Sequence, residues 1–164
     1  MVAWEERPIE VAHLFNPAYC SLLLRETVIA YEHTGQRGLE YALAFLVLPV
    51  VLHRKTRALL PGDTRTKLHV WMQRHHEARI GFAERMQNLV PVTKEALLFG
   101  LQHQALQVNE VGVLVVGGRE LGKLPVPKTA EAALCLKKAA FLGHWFAEAG
   151  KPATLLATWG VKVE

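Results

Sequence analysis

Aspartate is almost missing from this chain: Asp63 is the only one among 164 residues. Aspartate carries Mg²⁺ in phosphoryl-transfer sites and orients histidine in hydrolytic triads, so both chemistries lose their usual residue. The glutamates do not obviously replace it, because most fall at polar helix positions. Serine is as scarce. Ser21 stands alone in an apolar periodic segment, without the G-x-S-x-G turn that exposes a nucleophile. The two cysteines, Cys20 and Cys135, lie in similar segments and neither has a CxxC partner. That argues against a zinc site or a disulfide framework and for buried free thiols. Met1–Pro8 has neither a basic n-region nor an apolar h-region, so no signal peptide is predicted. The longest apolar run, Leu39–Leu52, is too short for a bilayer and is interrupted by Pro49. A cytoplasmic protein without a membrane partner is expected.

What is present is a large apolar fraction and one dense basic stretch. At 51% hydrophobic and 21% charged residues, the composition is that of a globular chain, and its length fits a single domain over residues 1–164. The net charge is +4. Between Arg54 and Arg79 seven Lys and Arg residues stand against Asp63 and Glu77, so this stretch alone exceeds the net charge of the whole. Its densest part, Arg54–Lys55–Thr56–Arg57, follows directly on the apolar run and His53. A cation tethered to the edge of a core binds an anion or an acidic partner with little loss of entropy.

Local chemistry predicts a mainly α chain with a small β-hairpin. Asn16 caps and Pro17 opens a helix from Ala18 to Thr34, which Gly35 stops. Leu39–Leu48 is a second helix that Pro49 ends or kinks, and Val50–Leu60 a short third. Thr64–Asn88 repeats apolar residues every three or four positions and is predicted as one long helix, broken by Pro91. Thr93 then caps a helix over Lys94–Leu106. Gly112–Val116 is continuous and β-branched, the mark of a strand. Gly117–Gly118 suits a hairpin turn that returns Arg119–Leu124 as its partner. A last helix spans Ala130–Ala149, and the tail with Leu155, Leu156 and Trp159 docks on the core. Two architectures accommodate this order: a helical bundle with an incidental hairpin, or a bundle whose C-terminal half is winged-helix-like.

No catalytic constellation emerges. His75–His76 with His69 lacks the carboxylate and the spacing of H-E-x-x-H, and His75 belongs to the apolar stripe, as a core or boundary histidine would. Gly117–Gly118 lacks the Lys and Ser/Thr of a phosphate loop. The four tryptophans are scattered and read as core, and Lys137–Lys138 as a solvated helix face. No cofactor, metal or small-molecule substrate is expected.

Three stretches carry a resemblance. They are Glu6–Arg7–Pro8–Ile9–Glu10–Val11–Ala12–His13–Leu14–Phe15–Asn16–Pro17–Ala18–Tyr19–Cys20, then Phe45–Arg57 through Leu60–Pro61, and Lys138–Ala147 with Gly150 and Thr158–Trp159–Gly160–Val161. Together they resemble the middle-component family of bacterial three-component ABC-ATPase systems. The resemblance implies a small non-enzymatic adaptor between a chromosome-maintenance-like ABC ATPase and a third, effector-bearing subunit. Such systems look like prokaryotic defence against phage or plasmids. It brings no active site with it.

On this reading the expected partner-binding residues are the proline-fixed turns Arg7–Pro8 and Asn16–Pro17 and the basic knot His53, Arg54, Lys55 and Arg57. The long cations of the knot are expected to stay hydrated and to cost the fold little when truncated. The competing reading is a winged-helix DNA-binding protein with Lys94–Leu106 as recognition helix and Arg119 and Lys123 on the wing. Arg65, Lys67, Arg74 and Arg79 are the further candidate DNA contacts, reached directly or through the complex. Lys94 is the only Lys or Arg of the would-be reading helix and Glu95 offsets it, which disfavours phosphate binding there.

Overall fold

A computed structural model describes residues 3–8, 15–122 and 130–162. Seven α-helices and one two-stranded antiparallel sheet lie among them. In chain order they are α1 (Pro17–Gly35), α2 (Tyr41–Val51), α3 (Arg54–Leu59), α4 (Leu68–Arg74), α5 (Phe82–Gln102), β1 (Leu106–Val108), β2 (Leu114–Val116), α6 (Ala130–Glu148) and α7 (Pro152–Thr158), with short 3-10 helices at Trp4–Glu6 and His76–Arg79. The mainly α class with a small hairpin is the observed one.

α2 is the centre of the molecule. Every residue from Leu43 to Val51 is buried, as an all-apolar helix requires. α1, α5, α6 and α7 pack around it. The largest helix–helix contact joins α1 to α6. There Thr27 Oγ1 donates across the interface to the Ala139 carbonyl at 2.8 Å. Trp71, Trp145 and Trp159 are buried together with Phe82, their rings 4.7–5.8 Å apart, which welds α4, α5, α6 and the end of α7. Leu155 and Leu156 of the tail are buried as expected.

Four predicted elements differ. The stretch Thr64–Asn88 is not one helix: Asp63 holds the Arg65 amide in a turn at 2.9 Å, α4 begins at Leu68, and a 3-10 segment and Gly81 separate α4 from α5. Both pieces turn their apolar side to the same core, so the periodicity survives a break in the backbone. Pro91 does not break a helix but lies within α5. It sits on the exposed side, where water can satisfy the carbonyl that loses its amide partner. Consequently Lys94–Leu106 is no separate helix, and the helix–turn–helix step of a winged helix is absent at this place. Val50–Leu60 likewise divides between the end of α2 and α3.

The hairpin is shifted by one strand. β2 pairs with β1, which precedes it, and not with Arg119–Leu124. The turn is made by Asn109, whose Oδ1 accepts the amides of Val111 and Val113 at 3.1 and 3.2 Å, and by Gly112 at φ +82°. Gly117 serves a different purpose: a Cβ there would lie 2.0 Å from the Gln104 carbonyl oxygen, so only glycine permits this close approach.

Candidate functional site

A helix that ends inside a core leaves carbonyls without partners. α2 ends so, and two arginines meet its last turn. Arg85 of α5 donates from Nε to the Pro49 carbonyl at 3.1 Å and from Nη2 to Thr56 Oγ1 at 3.2 Å. Arg57 of α3 donates from Nη1 to the Val51 carbonyl at 2.7 Å. The same guanidinium reaches Cys135 Sγ at 3.3 Å and the Glu131 carboxylate at 2.9 Å. Cations at the negative end of a helix dipole are favourable as well as hydrogen-bonded.

This placement corrects the sequence reading of Arg57. It is 4% exposed and bridges α2, α3 and α6. Its partners Cys135 and Glu131 lie more than seventy residues on, out of reach of any local signal. Arg85, which completes the pair, was not singled out by any sequence pattern. Burial pushes its guanidinium below the ordinary arginine value.

The rest of the knot stays on the surface. Arg54 and Lys55 are exposed and make no ion pair among the described residues. His53 precedes them as the cap of α3: its Nδ1 accepts the Thr56 amide at 3.3 Å and lies 2.7 Å from Thr56 Oγ1. Partial burial, followed by the positive charge of Arg85, Lys55 and Arg57, pushes the imidazole below its ordinary value. His53 also forms one wall of a cleft of about 390 Å³, with Phe15, Leu52, Glu84, Arg85 and Leu89 among the others. His53 thus lines the cleft and precedes the exposed Arg54 and Lys55 in the chain.

The remaining predicted positions are mostly engaged within the chain. Arg7 forms a two-pronged ion pair with Glu95 of α5, both contacts at 2.9 Å, which ties Ala3–Pro8 to that helix. Pro8 beside it is exposed. Asn16 caps α1, its Oδ1 accepting the amides of Ala18 and Tyr19 at 2.9 and 3.3 Å, and Pro17 is the first helical residue. Arg65 pairs with Asp63 and Lys67 with Glu148. Arg79 lies against Gly160 beyond the end of α7, Arg74 and Arg119 are exposed, and Lys123 falls outside the described residues. Lys138 is half-buried and donates to the Pro61 carbonyl at 3.3 Å, so only Lys137 belongs to a solvated face. His75 stacks on Trp71, a boundary histidine as read.

Both cysteines are free and buried. Burial pushes the Cys20 thiol up to about 12 and raises Cys135 as well. Among the described residues no three His, Cys, Asp or Glu side chains come together as a metal site would need, and no helix is long and apolar enough to cross a membrane.

The comparison of sequences gives the class of this buried helical core. The family model for the ABC-three component (ABC-3C) system Middle Component 3 matches residues 4–163. The chain belongs to that family, the middle components of ABC-three component systems. No curated protein and no solved structure matches it.

Proposed function

We propose that this protein is a non-enzymatic adaptor, acting as one unit, that joins an ABC ATPase to a third, effector-bearing subunit in a cytoplasmic prokaryotic defence system. The observation that carries the reading is the family match over nearly the whole chain, as a middle component. The geometry supports it in kind. Arg57 and Arg85 fix α2 and α3 against each other, so Arg54 and Lys55 stand on a rigid base. A rigid cation loses little entropy when a partner carboxylate docks on it. Losing such a contact, once desolvated, costs about 2–5 kcal/mol of binding.

The test is co-expression with the ATPase and the third component of the same system. The protein is expected to co-purify with both. Arg54→Ala with Lys55→Ala is expected to leave the melting temperature within about 2 °C of the unaltered protein, since ordinary surface positions contribute about 0.5 kcal/mol or less each. The same change is expected to weaken retention of one partner. A complex that forms as before with the doubly substituted protein would remove this surface from the adaptor's binding sites. If neither component is retained by the unaltered protein, the adaptor reading itself fails.

A further inference from the structure

The cleft of about 390 Å³ walled by His53 combines apolar lining with unanswered positive charge. Its volume falls in the range of about 300–1,000 Å³ that ligand pockets occupy. Leu89 is buried, and Phe15 and Leu52 pack partly buried against the core, so three side chains that the fold already holds in place also line the recess. The walls are fixed from behind. Leu52 caps the end of α2, and Arg85 is held by its bonds to the Pro49 carbonyl and Thr56 Oγ1. Ile80, next in the chain to Gly81 of the wall, is 76% exposed and adds apolar surface beside the recess.

The charges at this wall do not balance. Arg85 is partly buried, has no carboxylate partner among the described residues, and keeps its Nη1 without an acceptor there. Arg54 and Lys55, the two residues after His53, are exposed and equally unpaired. The charge of Lys55 reaches the His53 ring together with those of Arg85 and Arg57, and of these Arg57 alone is answered, by Glu131. Glu84 is the one acid among the lining residues; it is exposed in the first turn of α5, where the helix dipole favours it. Three open cations thus stand against one carboxylate. A partly desolvated guanidinium without a counter-charge favours an anion more strongly than a fully hydrated one does.

We infer that this cleft is the socket for a bulky apolar side chain of another component of the same system, carried next to an acidic residue. This inference rests on the adaptor reading above and specifies its contact. The anchor fills the space lined by Phe15, Leu52 and Leu89, as an anchor fills the buried centre of an interface. The carboxylate beside it meets Arg85 or Lys55 and keeps away from Glu84. This chain has a segment of related chemistry: Glu110 and Val111 are exposed in the turn between β1 and β2, Val111 by 80%. A second copy docked by that turn fits less well. One valine side chain fills only part of a 390 Å³ recess. A single turn also covers far less than the roughly 1,600 Å² of a standard stable interface.

Asn88 lines the cleft from an exposed position on α5, so it can be changed without touching the core. Binding is measured by titrating the full chain into the other two components of the system. Asn88→Trp fills the recess and is expected to weaken binding at least about ten-fold, the loss of one good anchor. Asn88→Glu adds a charge of the occupant's sign and Asn88→Lys the opposite one. The Glu variant is expected to bind about five-fold more weakly than the Lys variant, and high salt to shrink the difference. Both are good helix formers at an exposed position, so this pair decides the matter even if the tryptophan variant folds poorly. An Asn88→Trp protein that melts and binds like the unaltered one would overturn the inference and spare the adaptor reading. So would equal affinities of the Glu and Lys variants, since no acid would then face this wall. Self-association of the chain alone that Asn88→Trp abolishes would overturn it as well and make the occupant a second copy. If the unaltered chain binds neither component, both readings fall together.

Discussion

Arg57→Ala isolates the role of the buried guanidinium from that of the exposed cations beside it. The substitution removes the donor to the Val51 carbonyl, which is then left with Cys135 Sγ at 3.7 Å, too long to replace a charged hydrogen bond. A charge-assisted hydrogen bond of this kind contributes about 1.5–3 kcal/mol. The ion pair with Glu131 adds little, because Glu131 is 72% exposed and returns to water when its partner leaves. The aliphatic stem, buried beside Cys135, adds about another 1 kcal/mol of packing. The sum is about 3 kcal/mol. For a domain of this size each kcal/mol moves the melting temperature by about 2–4 °C, so a fall of about 6–12 °C is expected. Differential scanning calorimetry on the purified chain reads it directly. Arg57→Met keeps most of the stem and loses the donors, and is expected to recover only the packing part. A melting temperature for Arg57→Ala within 2 °C of the unaltered protein would refute the capping role and restore the view of Arg57 as a solvated surface charge.

Gly143→Ala would place a methyl carbon 2.2 Å from the Thr27 carbonyl oxygen and 2.7 Å from Ala30 Cβ, so α1 and α6 must separate; overpacking of this sort costs about 3 kcal/mol and is checked by urea denaturation. His53 has a folded pKa below its ordinary value of 6.5, so the unfolded chain binds the proton more tightly. The stability it contributes is complete above about pH 6.5 and is lost as pH falls through the lower folded value; His53→Asn keeps an acceptor at the cap, and melting temperatures measured from pH 7.5 to 5 are expected to fall less steeply for it than for the unaltered protein. Cys20 and Cys135, both buried with raised pKa values, are expected to react with a thiol reagent at neutral pH only once denaturant unfolds the chain; prompt labelling of both in the native state would contradict this.

The features legible in the sequence are those whose causes are local. Asn16–Pro17 announces α1 because cap and first-turn chemistry act within three residues. Leu43–Val51 announces a buried helix because nothing polar interrupts it. At the far end of α1 the stop is displaced by one residue: Gln36, at φ +53°, takes the left-handed position that Gly35 was expected to occupy. The misread features have distant causes. Pro91 is compatible with a helix only because its side of α5 meets water, which depends on where the other helices lie. Gly117 reads as a turn residue, yet its small size is required by Gln104, thirteen positions earlier in the chain. The real turn was written in Asn109 and Gly112, a weaker signal than two adjacent glycines.

Arg57 shows the same division in a single side chain, and it changes how the candidate site is understood. A run of four residues with three cations reads as one charged patch. The three-dimensional arrangement sorts it by direction. Arg57 turns inward to the end of α2, while Arg54 and Lys55 turn outward. The inward residue makes the outward ones useful, because α3 is only six residues long and an isolated helix of that length is unstable in water. Its conformation is held by the His53 cap at one end and by Arg57 from within. Charge that the sequence presents as a patch is therefore a buried clamp and an exposed pair, and the two are separable by experiment. Arg57→Ala should act first on the melting temperature, and Arg54→Ala with Lys55→Ala first on partner retention.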